Sequence, residues 1–360
     1  MTRRARPRRP PAPGPAAPPP APPRRPSREA VFALVCGALV LLAVCYVGYA
    51  ALRARSSAPA PAPAAAGSPQ LRAVLQRPHL VFLQPSGGDP TQDVVAVAPL
   101  VQGTTERTLT DLRCQRAYFA AGRGVCVGQN LLGAGFLFDE RFTPGRGFTQ
   151  PGIPTRARVS REGRLSATTV FVTGHAYSAP GFSTQTLITD VATGSTIDLE
   201  RYAVTKDGQR IQSPDFNFWG VTFAPGGGRF YATLGTQGHA YLVEGDVASR
   251  TARVLTDGVE CPSLSPDGTR IAYKQPVPGA QRTWRLHVLD LRTLAATALA
   301  ETRSVDDQVE WLDDSRVLYG LPDEGPPATL DVNLWSVPAD GSGAPAEFLA
   351  HAASPAVVRS

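Results

Sequence analysis

The chain has 360 residues, a formal net charge of +6, 35 Pro and 34 Gly. The charge is uneven: ten Arg and a single acid precede residue 56, leaving 26 bases against 29 acids in the remainder. That remainder is slightly acidic and carries no basic stripe, which argues against nucleic acid as a partner.

The first 29 residues are mostly Pro, Ala and Arg. They bury too little apolar surface to offset the entropy of ordering them, and they read as a disordered cytoplasmic tail. Residues 30–52 hold no charged side chain, and Val31–Leu52, 22 residues long, would cross about 30 Å of hydrocarbon as a helix. Tyr46 and Tyr49 sit near its far end, where interfacial anchors are favoured, and eight Arg precede the run against Arg53 and Arg55 after it. The positive-inside bias then puts the N-terminus in the cytoplasm and the rest outside. Two readings compete with a spanning helix. A cleaved signal peptide has a shorter apolar region and a shorter basic lead. Lipidation at Cys45 wants a small residue where Val44 stands. Residues 53–77, with alternating Ala and Pro from Ala58 to Pro63, read as a stalk of polyproline character.

Beyond residue 78 one phrase recurs: a β-rich run, a tight polar turn, an Arg and a second β-rich run. Its clearest copy is Cys261-Pro-Ser-Leu-Ser-Pro-Asp-Gly-Thr-Arg-Ile-Ala-Tyr-Lys274, with looser copies at 158–167, 220–232 and 309–319 and a further candidate at 114–127. Each is a hairpin signal, and the recurrence signals a repeat architecture. The turn residues Arg123, Arg164, Arg229, Arg270 and Arg316 are 41, 65, 41 and 46 residues apart. The 65 must hold an insertion, placed at 204–218. A second set of hairpins reads at 94–109, 135–148, 187–199, 240–255, 286–299 and 334–349. Two strands are left over, 79–83 near the start and 354–358 at the end, and they pair to complete a sixth unit. The expectation is an all-β, six-bladed β-propeller over 78–360, closed by its own tail, which removes open sheet edges.

Ser265-Pro-Asp-Gly-Thr-Arg-Ile-Ala-Tyr273 resembles the repeat of TolB-like six-bladed propellers. The resemblance covers about 78–360 and implies a structural turn at 265–268 and an envelope location. The anchor-plus-propeller layout also looks like membrane proteins of high-GC Gram-positive bacteria.

Catalytic signatures are sparse. No Gly-x-Ser-x-Gly elbow occurs, and His79, His175, His239, His287 and His351 show no metal-ligand spacing. No cofactor or metal is expected. His175 and His239 fall near strand ends and could face a channel mouth, although ordinary loop positions suit them better. Asp306, Asp307, Glu310, Asp313 and Asp314 cluster, but strand alternation sends them to different faces and favours a solvated rim over a cation site. Cys114 and Cys126 fall on facing strands of one hairpin and are disulfide candidates in an oxidising compartment, if a register shift brings them together. Cys261 reads as a buried thiol. Phe216, Phe218 and Trp219 form the one aromatic cluster, either a partner-binding surface or a loop pinned to its blade. Two functions follow. One is a membrane-anchored extracytoplasmic scaffold that binds an envelope protein or a cell-wall polymer without catalysis. The other is an envelope glycan- or lactone-processing enzyme with acids or His converging at the channel mouth.

Overall fold

The repeated phrase folds as a hairpin because its polar residues satisfy the turn from within. Ser265 N–H donates to the Arg270 carbonyl (2.9 Å), the Ser265 hydroxyl accepts from Arg270 N–H (3.0 Å), and Asp267 Oδ1 accepts from Thr269 N–H (2.9 Å). Gly268 takes the left-handed φ of +74° that the turn needs. Burial pushes the Asp267 carboxyl up, but donors from Ser265 and Thr269 win and hold it well below the usual range. Ser160 repeats the device in another blade, accepting from Arg164 N–H and Leu165 N–H. A second turn chemistry recurs on the outer hairpins: Asp190 and Asp290 each accept from the backbone N–H groups two and three residues on.

The computed structural model describes residues 32, 35–42, 44–46, 67–86, 93–128, 133–172, 183–280, 283–322 and 331–359. These residues form six sheets arranged as the blades of a propeller. Blade 1 contains β1 (His79–Gln84), β2 (Val94–Pro99) and β3 (Thr108–Arg113), with the last strand, β26 (Ala353–Val358), as its inner member. Blade 2 is β4 (Arg116–Ala120), β5 (Arg123–Val127), β6 (Ala134–Asp139) and β7 (Pro144–Thr149), and blade 3 is β8 (Ile153–Val159), β9 (Leu165–Val172), β10 (Ser183–Asp190) and β11 (Thr196–Asp198). Blade 4 comprises β14 (Asn217–Phe223), β15 (Arg229–Thr236), β16 (His239–Asp246) and β17 (Thr251–Thr256). Blade 5 is β18 (Glu260–Leu264), β19 (Arg270–Pro276), β20 (Trp284–Asp290) and β21 (Ala296–Ala298). Blade 6 is β22 (Glu310–Asp313), β23 (Arg316–Pro322), β24 (Val332–Pro338) and β25 (Ala346–Leu349).

The insertion lies where the spacing placed it. β12 (Ala203–Lys206) and β13 (Gln209–Ile211) form a hairpin that adds to the outer edge of blade 4, with β12 parallel to β17. The ring closes through antiparallel pairing of β26 with β1: His79 opposite Val358, Leu80 opposite Val357, Val81 opposite Ala356 and Leu83 opposite Ala353. Alternation along β1 buries both faces of the blade. Val81 and Leu83 pack with Val95, Phe119 and Phe138 toward blade 2, whereas Leu80 and Phe82 pack with Leu318 and Leu334 toward blade 6.

Within the segment expected as stalk, Pro69–Leu75 forms a short helix, α1, capped by the Ser68 hydroxyl accepting from Leu71 N–H (3.2 Å). Leu71 and Val74 are buried in the core shared by blades 1 and 2. Cys114 and Cys126 are disulfide-bonded, with Cα atoms 5.5 Å apart. Cys114 precedes β4 rather than lying on it, and Ala117 is the residue opposite Cys126. The turn at Ala121–Gly122 therefore needs no shift of register: the chain entering β4 brings the sulfur to Cys126. The proposed spanning segment falls partly outside the described residues. Residues 32, 35–42 and 44–46 are helical and exposed, and no helix among the described residues is long and apolar enough to cross a membrane.

Truncating the chain after Ala352 removes β26 and leaves one edge of β1 unpaired. The truncated protein is expected to lose its cooperative melting transition, or to melt roughly 10 °C or more below the full chain, by circular dichroism. Replacing both Cys114 and Cys126 by Ser opens a loop of 12 residues and is expected to cost about 2–3 kcal/mol in urea unfolding.

Candidate functional site

The innermost strands β26, β4, β8, β14, β18 and β22 line the propeller axis; all but β4 shift register against their neighbour, and three of them do so at a residue of positive φ. Gly220, Cys261 and Ser354 adopt positive φ (+66°, +51° and +49°), and the pairing of their strands shifts at those points. Bulges re-aim the side chains that precede them, here Trp219 and Glu260, toward one end of the channel. The bulges of β14 and β18 are in close contact: a Cβ added at Gly220 would lie 2.5 Å from Cys261 Cα, so only glycine fits. The Gln308 amide then satisfies both turned-out carbonyls, donating to Val221 O (3.1 Å) and Pro262 O (2.9 Å).

Halfway along, the axis is blocked by a buried polar cluster. Arg158 of β8 pairs with Glu310 of β22 through Nη1, and its Nη2 donates to Val309 O (3.1 Å). The Tyr118 hydroxyl of β4 lies 3.0 and 3.1 Å from the two Glu310 oxygens, and its ring sits under the Arg158 guanidinium (4.5 Å). Burial and the neighbouring Glu310 push the Tyr118 hydroxyl up, so it stays protonated and donates. Val357 N–H of β26 also reaches Glu310 (3.4 Å). Four blades thus meet on one carboxylate.

One mouth of the channel opens into a cavity of about 470 Å³ at the starts of the inner strands. Its polar wall is made by Arg116, Arg156, Lys274, Glu260 and Asp306, and its apolar wall by Ile153, Phe171, Trp219 and Trp284. Lys274 is buried and pairs with both Glu260 (3.7 Å) and Asp306, and it lies over the Trp284 ring (4.3 Å). Arg156 donates from Nε to Cys261 Sγ (3.3 Å) and approaches Asp306 (3.7 Å). Ile153 and Phe171, opposite each other across β8 and β9, are 66% and 38% exposed at the rim. The ends of the inner strands enclose a smaller cavity of about 120 Å³, lined by Arg161, Thr222, Pro266, Trp311 and Arg359 among others.

The aromatic cluster does not stay together. Phe218 is fully buried in the blade 4 core and Phe216 packs against it, edge to face. Trp219, on the opposite face of the strand, lines the mouth and covers Gly235. Phe218 therefore pins its segment and offers nothing to a partner. The acidic run also divides, and the expectation of a solvated rim is wrong for Glu310, whereas Asp306 is exposed. Glu310 is buried on the axis and Asp306 belongs to the mouth, while Asp313 and Asp314 serve the turns of the inner hairpins by accepting from Ser315 N–H and Asp267 N–H. His239 pairs with Asp257 (2.5 Å) and stacks on Tyr241 on the third strand of blade 4. His175 lies outside the described residues. No group of His, Cys, Asp and Glu suited to a metal ion occurs among the described residues. Arg116, Tyr118, Arg156, Arg158 and Lys274 were not singled out by the sequence. Their signal was there in Arg116-Ala-Tyr118 and Arg156-Ala-Arg158: polar residues at alternate positions in strands that otherwise face cores.

A second feature lies beside the inserted hairpin, where a groove of about 400 Å³ is lined by Glu200, Arg201, Tyr202, Arg210 and Phe216 among others. Glu200 accepts from Thr186 N–H (3.0 Å) and Phe218 N–H (3.1 Å), tying blade 3 to blade 4. Burial, reinforced by Asp198, outweighs those donors and pushes its carboxyl up to about 8.

No protein-family model matches the sequence, and no curated protein does either. Solved structures do match. TolB from Acinetobacter baumannii aligns at a TM-score of 0.57 with 15% identity, over 79% of this chain and 67% of that one. A chain of a nidogen/laminin complex aligns at 0.53 with 12% identity, over 78% of this chain and 98% of that one. A putative TolB from Agrobacterium tumefaciens aligns at 0.48 with 12% identity, over 76% of this chain and 90% of that one. At these identities the likeness is one of fold: the chain has the six-bladed propeller fold of TolB-like proteins.

Glu310→Ala leaves a buried guanidinium unpaired and is expected to destabilise the protein by about 3–5 kcal/mol in urea unfolding. The double variant R158L/E310L, which removes both charges, is expected to recover most of that loss. Glu200 takes up a proton in the folded state that it would lack when unfolded. Its contribution to stability is therefore full below about pH 4.5 and is lost as pH rises toward 8. E200Q is expected to flatten thermal stability across that window, measured as melting temperature against pH.

Proposed function

We propose that this TolB-like propeller is a docking module, tethered to the membrane by Val31–Leu52 and held outside the cytoplasm, whose channel mouth binds an envelope protein. The observation that carries the reading is the mouth itself: a cavity of about 470 Å³ rimmed by exposed Ile153 and Phe171. Large apolar residues placed together at the edge of a polar cavity are typical of an interaction site. The tether rests on the charge-free run and its basic lead. The Cys114–Cys126 bond supports an oxidising compartment. The role is docking rather than turnover. Glu260 and Asp306 close on one ammonium, Lys274, instead of standing apart across a substrate as glycan hydrolysis requires.

Two measurements test this. A Cys placed at the exposed Glu140 position is expected to react with a membrane-impermeant maleimide in intact cells. Labelling only after lysis would contradict the topology. Crosslinked cells expressing the full chain are expected to yield a reproducible partner that the I153D variant fails to capture, and identical capture by both proteins would contradict docking at the mouth.

A further inference from the structure

The polar wall of the mouth is unevenly neutralised. Lys274 has two carboxylates and Arg156 has Asp306 at 3.7 Å. Arg116 has no carboxylate within ion-pair distance among the described residues. Its guanidinium spends Nε on Thr155 O (2.9 Å) and Nη1 on Gln115 O (2.7 Å), both backbone carbonyls. Arg156 Nη1 donates to the same Thr155 oxygen (2.7 Å). One carbonyl therefore holds two guanidiniums side by side, on strands β4 and β8, at the wall of the cavity. Burial first, and then the charge of Arg156, lower the affinity of Arg116 for its proton, against the more distant pull of Asp307, Asp93 and Asp306. A pair of like charges in a partly dehydrated wall is a costly arrangement that an arriving anion relieves. With Nε and Nη1 of each guanidinium already engaged, the Nη2 groups of Arg116 and Arg156 are the donors left to meet the two oxygens of a carboxylate.

The rest of the cavity narrows the choice of anion carrier. Exposed Ile153 and Phe171 flank the guanidiniums, so the bound group arrives with apolar surface beside its charge. The Trp284 ring is occupied by Lys274 and the Trp219 ring lies on Gly235, so neither indole is a wholly open platform for a sugar. We propose that Arg116 and Arg156 form a cradle for one carboxylate, presented by an acidic peptide segment of the partner whose adjacent apolar side chains cover Ile153 and Phe171. This rests on the docking reading above and names the chemistry of what docks.

The test uses the full chain in detergent micelles, with tryptophan fluorescence as the readout because Trp219 and Trp284 line the cavity. The probes are the blocked peptide Gly-Phe-Glu-Phe-Gly, its Gln counterpart, trigalacturonate and sodium phosphate. The Glu peptide is expected to bind about 10-fold more tightly than the Gln peptide. R116Q and R156Q are each expected to abolish that preference, R156K to reduce it, and I153S to weaken both peptides alike. Should R116Q fail to fold, the two Arg156 variants decide. Equal affinity for the two peptides overturns the cradle. Saturation by trigalacturonate without peptide binding overturns the peptide in favour of an acidic glycan. Binding of phosphate alone means an adventitious anion only, and also overturns the proposal. A tight Glu peptide combined with partner capture that I153D leaves intact would instead remove the docking role and keep the carboxylate site.

Discussion

Every part of the propeller depends on the pairing of the last strand with the first. β26 supplies the inner position of blade 1, the position nearest the axis. Without it β1 would present an open edge, and the two cores on either side of blade 1 would lose Ala356 on one face and Val357 on the other. Unpaired edges also invite pairing with other chains. The closure reaches the axis directly, because Val357 N–H points to Glu310, which already holds Arg158 and Tyr118. The first and last strands of the propeller and the middle of the channel are therefore one structural unit.

The axis shows how a repeat fold makes a specific site. Middle strands such as β9, β15 and β19 are buried almost throughout and fill the cores between blades. Inner strands have one face on the channel, and there the six copies differ. The bulges at Gly220 and Cys261, with the register shift between Pro154 and Arg156 in β8, sit where Trp219, Glu260 and Arg156 face a common cavity. Gln308 closes the hydrogen bonding of two bulges from a third blade. Buried backbone carbonyls need such partners, and the Gln308 amide spans the required distance without adding a charge.

The blades were legible in the sequence because each is a local object. Turn chemistry at Ser265–Gly268 and at Asp190 and Asp290 is satisfied within a few residues, and alternation on either side sets the strands. The split sixth pair was legible because its two halves were each incomplete. The site was not. Arg158 and Glu310 are 152 residues apart in sequence, and nothing local tells one inner-strand charge that it faces another across an axis. Phe218 and Trp219 are neighbours in sequence, but the pleat sends one to a core and the other to the mouth. The acidic run from Asp306 to Asp314 likewise crosses from mouth to axis to the turn of the inner hairpin in nine residues. The short helix at Pro69–Leu75 was hidden by the proline-rich composition around it, although Ser68 and Pro69 form an ordinary helix start.

The geometry of closure is open to direct measurement. His79 and Val358 stand opposite each other in β1 and β26, close enough for a crosslink between paired Cys residues. In the full-length H79C/V358C protein, air oxidation is expected to yield a disulfide-linked peptide joining the two positions, found by mass spectrometry, together with a raised melting temperature. A folded protein in which both thiols stay free, or in which each crosslinks a second chain instead, would contradict a ring sealed by its own tail.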